Sequence, residues 1–561
     1  MQSRLRAVSA LEPTSPVATA VEKRERMSLS ARTCVLALAL FAEKFFLNGF
    51  VNFRAAQAAR GLATAVRVIQ HFGFRFAVSF AIALALFVYV RGDATLAAVN
   101  QEARGAPVRF RWLALHAVLL VPIAAALYNL YGTHGVQLPF ALLAAAAVAL
   151  TTLSVAALLM GLAPWRIWRD GATAVGHRWL YALGAALAAT VAIVLSQQLW
   201  IPTAQVTFDL VQLVLRPLLP TLQADPVTRD LYAPHFAVGI DPICSGLEGM
   251  GLIIAFCAAW LVFFRDEYRF PRALLLIPLG VVIVFALNVL RIAVLVLIGN
   301  SGRPAIAVFG FHSQAGWISF NAVACGLAFV SRRSRWLNAA AAARMRSATA
   351  NSSVNPTASY LAPFLLVLAA GMISRASSGR FETWYALRLL AGAAALAVYW
   401  PRLGGLDWRF SWRAGAAGVA VFALWWWAGH LLLPPQSMPA ALAAMSAWNR
   451  ALWIAGRIAT AVLVVPLAEE LAYRGYLLRR LVAADFESVP FADVGWVPVL
   501  VTAAAYGILN GPLWPAGMAA GIAFAMLLTR TRRMGEAVAA HVFANALLCA
   551  AVLLGHQWQI W

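Results

Sequence analysis

Apolar runs of roughly 17–25 residues, each long enough to cross a bilayer as a helix, recur from about residue 33 to the end of the chain. In the first half they lie near 33–50, 73–90, 112–131, 138–163, 179–201, 246–264, 273–299 and 311–331. In the second they lie near 360–375, 384–400, 414–433, 449–468, 496–512, 515–529 and 535–555. Lipid tolerates no unpaired backbone, and these runs lack the alternation of barrel strands, so each predicts a helix. The expected fold class is all-α, a polytopic membrane protein of about fifteen helices in two helical bundles. Two stretches break the pattern. Residues 202–243 are divided by Pro202, Pro220, Pro226, Pro234 and Pro242, and Phe208 to Leu219 predicts a short interfacial helix around Asp209, Gln212 and Arg216. Residues 336–359 turn to Ala, Ser, Asn, Thr and Arg and read as a linker. The predicted organisation is a tail at 1–32, a membrane domain at 33–335, the linker at 336–359 and a second membrane domain at 360–561, with no internal repeat.

Composition agrees with the pattern. Hydrophobic residues make up 62% and charged residues 12% of the chain, well outside soluble usage, and mean hydropathy is +0.76. The net charge of +22 does not read as nucleic-acid binding, because the arginines cluster in short loops and not along one soluble face. They set topology instead. Loop 91–111 carries Arg91, Arg104, Arg109 and Arg111, loop 164–178 carries Arg166, Arg169 and Arg178, and 132–137 holds only His134. With the basic loops cytoplasmic, the span at 179–201 delivers 202–243 to the outer face. Loop 51–71, with Arg54, Arg60 and Arg67, runs against this count. The five cysteines (Cys34, Cys244, Cys257, Cys325, Cys549) form no CxxC pair, so neither a disulfide framework nor a zinc ribbon is indicated. The start, with Arg4, Arg6 and Lys23-Arg24-Glu25-Arg26, lacks a small-residue cleavage site and reads as an uncleaved cytoplasmic tail.

Within this frame, three polar residues on consecutive spans converge on one membrane level. Cys244 precedes the run Gly251 to Phe264, and that span ends in Arg265-Asp266-Glu267-Tyr268-Arg269, which places Cys244 at the outer end. Arg291 lies about 27 Å along the next span at 1.5 Å per residue, close to the outer boundary. His312 opens the third, which is closed by Arg332 and Arg333. A thiol at a helix N-terminus is expected to favour the thiolate. Acyl transfer needs a nucleophile, a proton carrier and a group for the oxyanion, and Cys244, His312 and Arg291 can fill these roles. Taken singly, each has a plainer reading: an inert buried thiol, a snorkelling arginine, an interfacial histidine.

The stretches Pro242-Ile243-Cys244-Ser245-Gly246, Asn288-Val289-Leu290-Arg291 and Phe311-His312 resemble the three motifs of exosortases, over about residues 30–335. The resemblance implies cleavage of C-terminal sorting signals of the PEP-CTERM kind on exported proteins, at the outer face of a bacterial inner membrane, with transfer of the new carboxyl to an acceptor or to water. Glu248, one turn after Cys244, is placed to pair with Arg291 or to meet substrate.

The second half carries its own constellation. Glu469 and Glu470 at membrane depth default to a site, with Arg474 four residues on to hold one carboxylate ionised, and His541 and Asn545 present an imidazole and an amide on one face. The alternative is a structural Glu, Arg and His network. EExxxR at 469–474 and HxxxN at 541–545 resemble the CAAX-processing and bacteriocin-immunity (CPBP) intramembrane proteases, over about 400–555. The family's FxxxH appears here as Tyr506-Gly507-Ile508-Leu509-Asn510, and an amide at Asn510 donates a hydrogen bond but cannot shuttle protons, which leaves peptidase activity of this half open. One histidine, two carboxylates and amides make a poor zinc set, so no metal or cofactor is expected. Together the halves are similar to the exosortase E/protease fusion type, associated with a VPEID-CTERM signal. A transporter using the buried charges, or a non-catalytic immunity or scaffold protein, are the alternatives. The expected partners are exported proteins with sorting signals and membrane lipids, not nucleic acid.

Overall fold

The computed structural model describes residues 27–50, 73, 76–84, 94–131, 139–339 and 355–561. The tail up to residue 26, loop 51–71 with its arginines, the far part of the span at 73–90, loop 132–137 and linker residues 340–354 lie outside them. The described chain is almost wholly helical, and nine of its helices are long and apolar enough to cross a membrane, with shorter apolar helices at Arg178–Val191, Leu247–Phe263 and Trp496–Ile508. Contacts divide it into two compact units, residues 1–190 with 495–500, and residues 191–494 with 501–561.

The first unit holds α1 (Leu29–Phe50), α2 (Ala94–Gly105), α3 (Phe110–Tyr131), α4 (Phe140–Leu162), α5 (Trp165–Val175) and the start of α6 (Arg178–Leu215). α2 and α5 occupy stretches expected as loops. The signal for α5 is its periodicity: Ile167, Gly171 and Val175 are buried four residues apart, one face of a helix. Leu29, Ala103, Ala163 and Ile167 form its small core. Arg32 is 1% exposed, and its guanidinium donates to the carbonyls of Leu162, Ala103 and Ala106, satisfying carbonyls that helix ends leave open. Within the bundle, the His116 ring meets Ser154 Oγ at 2.8 Å and Glu43 Oε1 at 2.8 Å, a polar tie across α1, α3 and α4 that hydropathy does not reveal.

α6 corrects one expectation. It runs unbroken for 38 residues through Pro202, and the segment expected as a separate interfacial helix is its last turns. The Thr203 hydroxyl beside the proline donates to the Leu199 carbonyl at 2.6 Å. The prolines beyond it mark turns of a small antiparallel sheet that the sequence did not predict: β1 (Gln223–Asp225), β2 (Asp230–Ala233) and β3 (Phe236–Gly239), ordered β1-β2-β3. Pro226 and Pro234 sit in the two connections, and Asp225 Oδ1 accepts from Val227 N–H at 2.8 Å to close the first. The sheet's inner residue Leu231 packs with Phe208, Val211 and Leu215 of α6, and with Val289, Ile292, Ala293 and Val296 of α8 (Leu276–Asn300). Burial of side chains this size is worth roughly 1.5–3 kcal/mol each, enough to seat the sheet and the loop leaving it.

α7 (Leu247–Phe263) and α9 (Ile306–Arg333, opening with a π turn) pack against α8 through Ile253, Cys257, Val284, Val323 and Leu327. The rest of this unit comprises α10 (Pro356–Ala376), α11 (Ala386–Tyr399), α12 (Trp412–Leu432), α13 (Ala447–Arg480), α14 (Trp496–Ile508, its first residues in the other unit), α15 (Trp514–Thr531) and α16 (Met534–Gly555). α13 is interrupted by π turns at Thr460–Val464 and Leu471–Leu477, which bracket Glu469 and Glu470. Such insertions recur at functional sites.

Candidate functional site

Cys244 stands in a short 3₁₀ turn, Pro242–Ser245, and α7 begins only at Leu247. Gly246 between them adopts φ +83, and a Cβ there would also come within 2.9 Å of Asn288 Nδ2. That amide fixes the turn by donating to the Cys244 carbonyl at 3.0 Å. Cys244 N–H donates to Asp241 O at 2.8 Å, and Thr207 Oγ1 of α6 donates to Ser245 O at 3.3 Å. The cysteine therefore precedes the helix instead of occupying its first turn. Burial pushes its thiol up from the ordinary value and nearby Asp241 adds to this, while the Arg291 guanidinium and the Asp241 backbone bond pull it down. Burial wins, so the expected helix-end preference for thiolate is not what governs this sulfur.

Arg291, 15 residues into α8, exerts its charge on both Cys244 and His312, and Glu248 acts on Arg291 in turn. The four groups thus share one electrostatic neighbourhood. No hydrogen bond or ion pair joins any two of their side chains among the described residues. Arg291 Nε is buried without a hydrogen-bond partner, and Glu248 is exposed. Beside them a cavity of about 210 Å³ opens between α7, α8 and α9, lined by Gly246, Glu248, Asn288, Arg291, Ser313 and Phe320 among others. His312, exposed at the first α-helical position after the π turn of α9, stands next to its Ser313 wall.

The second constellation is tighter. Glu470 and Arg474 are both fully buried on α13, with Nη1 and Oε1 3.1 Å apart. The N–H direction misses the oxygen, so the contact is an ion pair without a hydrogen bond. His541 Nδ1 of α16 lies 3.0 Å from the same Glu470 oxygen, and its Nε2 lies 3.9 Å from Glu469 Oε2. Losing one partner of such a buried pair typically costs ~3–5 kcal/mol. Aromatic rings wall the site: Arg474 lies 4.5 Å from the Tyr506 ring centroid, and His541 stacks on Phe524 at 5.1 Å.

Asn510 and Asn545 turn elsewhere. Asn510 Nδ2 donates to the Tyr506 carbonyl at 2.9 Å, closing the end of its own helix. Asn545 Nδ2 donates to Ala461 O at 2.7 Å. The residue that meets the site from α14 is Tyr506, whose hydroxyl lies 3.5 Å from His541 Nε2. Sequence reasoning passed over Tyr506 and Asn288 as site members. Their signal was a polar group one helical turn from a named residue in an otherwise apolar run.

Two protein families match the chain: transmembrane exosortase over residues 69–330, and type II CAAX prenyl endopeptidase Rce1-like over residues 451–547. The first range contains Cys244, Arg291 and His312, and the second contains Glu469, Glu470, Arg474, Asn510, His541 and Asn545. No curated protein and no solved structure matches the chain. Both families are peptidases of the membrane, which supports a membrane protease or sorting-signal-processing enzyme. With its apolar helices, this chain is a multi-pass membrane protein in which a segment matching the exosortase family is followed by one matching the Rce1-like CAAX endopeptidase family.

Proposed function

We propose that the exosortase part is a cysteine peptidase or transpeptidase that cleaves C-terminal sorting signals of the PEP-CTERM or VPEID-CTERM kind from exported proteins, at the outer face of a bacterial inner membrane. The observation that carries this reading is the position of Arg291, which lines the cavity between α7, α8 and α9 and whose charge reaches both the Cys244 thiol and the His312 ring. Burial pushes the thiol up from its ordinary value, and the thiolate forms as substrate is attacked, with His312 taking the proton. Sulfur adds to the scissile carbonyl, Arg291 compensates the oxyanion, and the imidazolium returns its proton to the leaving amine. Water or an acceptor amine then attacks the thioester and releases the thiol. The functional division is at 33–335, 336–359 and 360–561. The second domain is a glutamate-type protease module or a substrate-handling module, supported by the buried carboxylate and imidazole pair.

The test is processing of a tagged substrate bearing a C-terminal motif, a span and an arginine tail. Cys244→Ala should abolish cleavage, and unchanged processing would reject the thiol mechanism. Glu469→Gln in parallel should leave that cleavage intact while removing any second cut. Loss of the first cut as well would mean that the two sites act as one.

A further inference from the structure

β3 is an edge strand, and its hydrogen-bond pattern shows which groups it leaves open. The pairing Asp230↔Gly239, Leu231↔Val238, Tyr232↔Ala237 and Ala233↔Phe236 continues into a bond from Ile240 N–H to Arg229 O at 3.0 Å. In an antiparallel ladder such bonds alternate, so Phe236, Val238 and Ile240 turn their amides and carbonyls toward β2. Ala237 and Gly239 turn theirs away. Both residues are exposed, and among the described residues none of these four backbone groups has a hydrogen-bond partner. The opposite edge is poorer: pairing of Gln223 and Asp225 with β2 leaves Ala224 alone facing outward on β1.

The open edge is rigidly held. His235 N–H donates to Asn300 Oδ1 at 3.0 Å, and Phe236 lies against Gly299, where a Cβ would come within 2.4 Å of its ring. Both contacts bind the start of β3 to α8, the helix that carries Arg291. From its other end the chain passes through buried Ile240, also held by Arg229 Nε at 3.3 Å, and reaches Cys244 five residues after Gly239. Five residues span at most ~18 Å fully extended. A peptide laid along the edge therefore has its continuation within a few residues of the sulfur. Strand addition suits this task, since main-chain bonds hold a segment extended with its carbonyls accessible and demand little of its sequence.

We propose that the free edge of β3 is the substrate-docking strand, taking an extended polypeptide segment of a membrane-anchored protein as a fourth strand through the amides and carbonyls of Ala237 and Gly239. The proposal rests on the reading of Cys244 as nucleophile. The decisive variant is Ala237→Pro. It removes an outward N–H while sparing the β2 ladder, since proline is tolerated at that kind of edge position. Signal processing should fall about tenfold or more, as expected for loss of a main-chain bond together with a steric block. Ala237→Val, which keeps the N–H, should process clearly faster than Ala237→Pro. Wild-type processing by Ala237→Pro alongside a dead Cys244→Ala would overturn the docking strand and leave the nucleophile standing, whereas an active Cys244→Ala sinks the reading beneath both. Should Ala237→Pro lower the thermal midpoint, a disulfide scan decides: Ala237→Cys in a Cys244→Ala background against single cysteines along the substrate. Crosslinks at every second substrate position are expected; crosslinks spaced three or four apart, or none, would refute the strand.

Discussion

Cys244 and Arg291 show how one residue's chemistry depends on neighbours that the sequence does not place beside it. The residue types were legible, because a thiol, a guanidinium and an imidazole in apolar surroundings are expensive and stand out. The state of the thiol was not. It hangs on burial against the α6 and α8 core, opposed by one cation and reinforced by Asp241. Alkylation of Cys244 by iodoacetamide should therefore rise with pH along a curve whose midpoint lies above the ordinary thiol value of about 8.5. Removing the cation with Arg291→Gln should move the midpoint further up, and removing the anion with Asp241→Asn should move it down. An Arg291→Gln midpoint at or below wild type would show that the two groups do not interact. Asn288 and Tyr506 were harder to read, since an amide or a phenol in a helix gains a role only from the partner it meets across the gap.

At the scale of the element, α13 is the most informative helix. Its apolar character was readable, but the expected span ended near 468 whereas the helix runs on to Arg480, and its two π turns were not readable, because a change of pitch reflects packing more than composition. Pro466 follows the first π turn and has no N–H to offer the carbonyls behind it. Asn545 of α16 supplies the missing donor at Ala461 O. Asn545→Ala should lower stability by roughly 1–3 kcal/mol, the cost of leaving a buried carbonyl unpaired. Adding Pro466→Ala, which returns a backbone donor, should restore part of it. Thermal midpoints in detergent check both, and a double variant less stable than Asn545→Ala would count against this account. The prolines of 202–243 were read as breakers, which holds for Pro226 and Pro234 in the sheet turns and not for Pro202, which lies inside α6.

At the scale of the whole molecule, α9 of the exosortase segment and α10 beyond the linker meet at Gly310. A Cβ there would lie 1.9 Å from Ser378 O and 2.6 Å from Arg375 O, both backbone atoms that cannot swing aside. Gly310→Ala should force these helices apart and lower stability by roughly 1–3 kcal/mol. An unchanged thermal midpoint would show that the contact is loose. The organisation into spans, the membrane setting, and the residue types worth attention were determined by the sequence alone, because bilayer thickness and the cost of unpaired backbone act on each segment separately. Which polar atoms meet was decided only in the tertiary structure. It brought Glu470 to His541, turned Asn510 back on its own helix, and raised a small sheet beside Cys244. Those outcomes depend on how each helix is rotated and how far it slides against its neighbours, and many weak packing contacts set that together, with no local pattern recording their sum.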